Sequence, residues 1–116
     1  MKEIPKAMKK ALGRLANEAY EIELGRALAG LREEFDRWER GEIAAFDLEA
    51  AIHRFHQGPA RDLFKRYHDN GIQKVVVAGA IADGILDRTK VALEVLEFLA
   101  GALSFWEQEQ ASSDRR

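Results

Sequence analysis

Apolar side chains return along the first third of the chain at alternating intervals of four and three. Met8, Leu12, Leu15, Ala19 and Ile22 form one such series; Leu24, Leu28, Leu31, Phe35 and Trp38 form a second. This spacing lays a continuous apolar stripe along one side of a helix. It predicts helix from about Pro5 to Arg40, with Gly41 as the cap. Between Ile22 and Leu24, next to Gly25, the register slips by two residues. That slip predicts either a break or one long helix that changes partner. A second helix is expected from Asp47 to His56 or Gln57, burying Leu48, Ile52 and Phe55. Gly58-Pro59 should end it and start a third, which buries Ala60, Leu63, Phe64 and Tyr67 and stops at Asn70-Gly71. A fourth, Gln73 to Ala82, carries Val76, Val77, Ala80 and Ile81. The run "KVVVAGAI" could be read as a strand, but no second strand exists to pair with it, so helix is expected there too.

After "ADGILD", Asp87 should cap a last helix from about Arg88 to Gln108. Two apolar series run along it: Val91, Val95, Phe98 and Phe105, and Leu96, Leu99, Leu103 and Trp106. A helix apolar on two sides must be covered on two sides. One side is expected to meet the chain's own core and the other a partner, through Leu96, Leu99, Leu103 and Trp106, with Trp38 as a further anchor. The predicted class is all-α, a small helical bundle of about five helices with a long N-terminal helix or helix pair. A single helical domain is expected over residues 1–110, and a disordered tail over 111–116.

Composition adds few constraints but firm ones. With 116 residues, 47% hydrophobic and 33% charged, the chain can build one packed core. It contains no cysteine, which excludes disulfides and thiolate metal centres. The basic opening "MKEIPKAMKKALGRL" lacks the apolar run of a secretion signal, and every long apolar stretch is broken by charge. A cytoplasmic location without membrane insertion is therefore expected. No cofactor is expected.

The net charge of −2 argues against nucleic-acid binding by the surface as a whole, yet charge is unevenly spread. Residues 17–49 hold ten acids against four arginines. Residues 53–68 hold Arg54, Arg61, Lys65 and Arg66 against Asp62 alone, together with His53, His56 and His68. Three chemical readings compete for this basic island. Glu49, His53 and His56, four and three apart, put a carboxylate and two imidazoles on one helical face, as a zinc or iron site would require. Lys65, Arg66 and Arg54 could contact phosphates, although side chains able to read bases are scarce on the flanking helices. Arg61 and His68 stand two helical turns apart, an arginine to hold a phosphate and a histidine to move a proton.

Arg61-Asp62, five further residues, then His68 resembles the Arg-polar-x(n)-His motif of HEPN-type ribonucleases. The resemblance implies a small helical bundle acting as a dimer, with Arg61 and His68 carrying metal-independent RNA cleavage. It spans eight residues, and the same residues read more simply as a solvated basic helix face. The excess of apolar helix surface favours recognition over catalysis. The expected function is a non-enzymatic protein–protein interaction module, a homodimer or one half of a two-protein regulatory, antitoxin-like complex. RNA is the partner only under the ribonuclease alternative.

Overall fold

In a computed structural model, which describes residues 4–68 and 73–114, the chain is all-α. The helices are α1 (Lys6–Glu39), α2 (Ala45–Gln57), α3 (Pro59–His68), α4 (Gln73–Ala82), α5 (Leu93–Phe98) and α6 (Ala100–Asp114), with a single 3₁₀ turn at Arg88–Lys90. The chain divides into two compact units, a terminal one (residues 1–19 and 69–116) and a central one (Tyr20–His68). Helix α1 is uninterrupted and contributes to both. Of the two outcomes the register slip allowed, the long helix that changes partner is the one observed. The expected stop at Asn70-Gly71 lies outside the described residues.

The terminal unit is built around α4. Val76 to Ile81 are all buried, so this helix is covered on every side. Its small residues let neighbours come close. A Cβ on Gly79 would lie 3.1 Å from the Trp106 ring, and Trp106 Nε1 donates to the Val75 carbonyl at 3.1 Å. Leu12, Ala16 and Ala19 of α1, with Leu86, Val91, Val95, Leu99 and Leu103, complete the buried set. Helix α4 ends at Gly84 (φ +78°), where the Ile85 amide reaches back to the Ala80 carbonyl at 2.9 Å. Such a left-handed residue favours glycine.

Three expectations for the C-terminal region need correction. Asp87 does cap, accepting from the Thr89 amide at 3.0 Å and its hydroxyl at 2.7 Å, but what it caps is the 3₁₀ turn. The backbone is extended at Val91 and Ala92 before α5 begins. Helix α6 continues through Asp114, into the segment expected to be a tail, where Ala111, Ser112 and Ser113 include no glycine or proline to break it. Most consequentially, Leu99 and Leu103 are 0% and 3% exposed, so these two proposed interface residues belong to the chain's own core. Val91 and Val95 are buried as well, so each apolar series already contributes two residues to the chain's own core. Leu96 and Trp106 are half-buried. Leu93 and Phe105 are the large apolar side chains of α5 and α6 left in solvent.

In the central unit, α1 ends at Gly41 (φ +75°). The Gly41 amide bonds to the Trp38 carbonyl and the Glu42 amide to that of Arg37, closing the last turn as the cap at Gly41 predicts. Arg37 pairs with Glu34 and Glu42, and Arg40 with Glu42. Helix α2 begins at Ala45, earlier than expected. Asp47 reaches back to the Ala44 amide at 2.9 Å, the reciprocal half of a capping box whose other half an alanine cannot supply. The buried side chains of this unit are Leu48 and Ala51 of α2 and Leu63 of α3. Ile52 and Phe64, expected in the core, are exposed.

Burial separates two leucines of neighbouring sequence sharply. Leu99→Ala should cost about 2–5 kcal/mol, whereas Leu93→Ala should change stability by no more than about 0.5 kcal/mol, as measured by urea unfolding. Equal losses at the two positions would be inconsistent with this core.

A candidate binding groove in the central unit

The corner between α2 and α3 sets the geometry. The Gly58 amide closes α2 on the Arg54 carbonyl, and the Gly58 carbonyl accepts from Asp62 to open α3, both at 2.9 Å. A Cβ at position 58 would stand 2.8 Å from the Arg54 carbonyl oxygen, so the corner is tight enough to require glycine. Pro59 then supplies a backbone already set for a first helical turn. This hairpin brings the end of α2 beside the start of α3, against the part of α1 that follows Tyr20.

An open groove of about 530 Å³ results. Helix α1 supplies Tyr20 and Leu24, α2 supplies His56 and Gln57, and α3 supplies Ala60, Arg61 and Phe64. The wall is apolar and aromatic, the polar groups are few, and among the described residues no carboxylate lines it. Behind it lies an aromatic cluster. Tyr20 stacks on Tyr67 with centroids 5.3 Å apart, and Phe64 stacks on His68 at 4.1 Å. The His68 ring also meets the Tyr20 ring edge-on at 5.5 Å. His68 Nδ1 lies 2.9 Å from the Phe64 carbonyl. A carbonyl only accepts, so Nδ1 carries the proton there. The Tyr67 hydroxyl donates to Glu23, which also pairs with Arg66 at 3.4 Å. Burial, and then the Glu23 carboxylate that receives the hydrogen bond, push the Tyr67 phenol above the ordinary tyrosine range.

The residues singled out by sequence fall in different places. Arg61 lines the groove, whereas His68 stands behind Phe64; seven residues of α3 place them about 10 Å apart along its axis. Glu49, His53 and His56 do not form a metal site. His53 lies 3.6 Å from Glu49, His56 turns to the groove, and among the described residues no three metal-binding side chains converge. Glu49 and His56 share a helical face but lie about 10 Å apart along it. The phosphate-binding set is likewise dispersed. Arg66 is held by Glu23, Arg54 lines a separate groove with Arg37 and Glu34, and Lys65 is exposed.

Tyr20, Leu24 and Gln57 were not among the site residues the sequence suggested. The signal that could have found the first two is the register slip itself, since Tyr20 and Leu24 are four apart and share a face. Comparison with family models, with curated proteins and with solved structures finds no match to this chain.

The raised Tyr67 ionisation has a fixed sign. The folded state holds this proton more tightly than the unfolded chain. Its stabilising contribution is therefore complete below the ordinary tyrosine value of 10.0 and is lost as pH rises through the higher folded value. Alkaline difference absorbance should show a late phase that is absent in Tyr67→Phe and shifted to lower pH in Glu23→Gln. An unshifted phase in Glu23→Gln would remove the carboxylate as a cause.

Proposed function

We propose that this chain is a non-enzymatic helical interaction module that self-associates through the second half of α1. The observation that carries this reading is the exposure of Leu28 (47%), Phe35 (40%) and Trp38 (43%) at helical spacing. Leu24 and Leu31 lie half-buried in the same series. Water contact costs such surface roughly 25 cal/mol per Å², and a second copy of the same stripe offers the matching apolar face. A two-fold pairing places the same residues on both sides, as most homodimers do. The mixed charges flanking the stripe, such as Arg32, Glu33, Asp36 and Arg40, set orientation more than affinity. In this reading the association surface lies on α1 around Trp38. The C-terminal leucines have no part in it.

Light scattering should find a dimer of the 13.1 kDa chain. The paired substitution Phe35→Glu/Trp38→Glu should yield a folded monomer. A wild-type protein that stays monomeric at high concentration defeats self-association and leaves a different protein as the partner, the antitoxin-like arrangement.

The ribonuclease reading has one observation in its favour. With Nδ1 of His68 donating to the Phe64 carbonyl, it is Nε2 that carries the lone pair a general base needs in the neutral imidazole, and Arg61 faces an open groove. In this reading the wild-type chain should degrade mixed RNA in the presence of a metal chelator, and Arg61→Ala/His68→Ala should not. Equal RNA integrity with both proteins eliminates it. Among the described residues no helix is long and apolar enough to cross a membrane.

A further inference from the structure

The groove lined by Tyr20, Phe64 and Arg61 has the makings of a small-molecule site; it adjoins the self-association stripe at Leu24, but the exposed Leu28, Phe35 and Trp38 on which that reading rests do not line it. The geometry points to a ligand with a flat aromatic body and a single carboxylate. Three features combine to select that chemistry.

The first is the state of the aromatic wall. Phe64 lines the groove and is 54% exposed, with its ring stacked on His68. A ring has two faces, and the imidazole occupies one. Tyr20, whose ring is stacked on Tyr67, stands in the same wall. A planar ligand finds there the offset or edge-on partners that aromatic rings prefer. The second is charge. Among the described residues no carboxylate lines this groove, whereas Arg61 does. A guanidinium presents a planar fork of donors that matches a carboxylate, and His56 and Gln57 add further hydrogen-bonding groups. One fixed positive charge suits one negative charge. The third is size. A volume of about 530 Å³ with a mostly apolar lining and a few convergent polar groups falls within the range that takes a single small organic molecule.

The test uses 2-naphthoate, its neutral analogue 2-naphthalenemethanol, and adenosine 5′-monophosphate, titrated into the full chain by calorimetry. The expected result is saturable binding of 2-naphthoate, with the alcohol at least about tenfold weaker for want of the charge-assisted pair. Arg61→Gln should bring the two affinities together by weakening the acid alone. Phe64→Ala should weaken both by a similar factor. Both side chains are exposed, so the variants should fold, and circular dichroism checks that they do. Equal affinity for acid and alcohol in the wild type, an unchanged ratio in Arg61→Gln, or no saturable binding at all overturns the proposal. Tighter binding of the nucleotide than of 2-naphthoate also overturns it, in favour of a phosphate ligand. None of these results bears on the oligomeric state, so the self-association reading stands or falls separately.

Discussion

One constraint governs this chain: α1 is a single helix that must satisfy two cores. Its two apolar series are each regular, but they are offset by two residues, and a rigid helix cannot present both to one set of neighbours. The chain answers by surrounding them with different partners. Leu12, Ala16 and Ala19 are buried in the terminal unit. The series from Leu24 to Trp38 belongs to the unit that holds the α2–α3 hairpin, whose buried contribution is Leu48, Ala51 and Leu63, and none of its own members is fully sheltered. The same helix is therefore well covered over its first half and poorly over its second. Both the exposed stripe and the groove are consequences of that imbalance.

Much of the fold was legible because it rests on periodicity and on local breakers. The helix assignment of "KVVVAGAI", the corner at Gly58-Pro59 and the cap at Gly41 each follow from a few residues and short-range sterics. The C-terminal region was harder because burial is not local. Leu99 and Leu103 look surplus on a helix considered alone. They are buried because α4 is rich in small residues, and Gly79 in particular lets α6 approach closely. Nothing within α6 announces that. The spacing of Glu49, His53 and His56 misled for a different reason. Sharing a face of a helix is not convergence, since seven residues also carry a side chain two turns along the axis.

The candidate site was half visible. Arg61 drew notice as a charged residue of the basic island and His56 as a candidate metal ligand within it. The aromatic wall did not, because Tyr20 comes from α1 and aromatic residues at helical spacing look like core. Phe64 shows the cost of that inference. It has core spacing, but a chain with a small central core leaves it in solvent, stacked on an imidazole in place of an aliphatic neighbour.

The placement of the two tryptophans gives this protein a built-in pair of optical reporters. Trp106 belongs to the terminal unit, half-buried against Gly79 with its indole nitrogen bonded to a backbone carbonyl; Trp38 belongs to the central unit and is 43% exposed. An indole in an apolar enclosure emits at shorter wavelength than one in water. The emission spectrum thus carries separate records of the two units, the blue component following one and the red component the other. Whether they melt together or apart is written in the colour of the light.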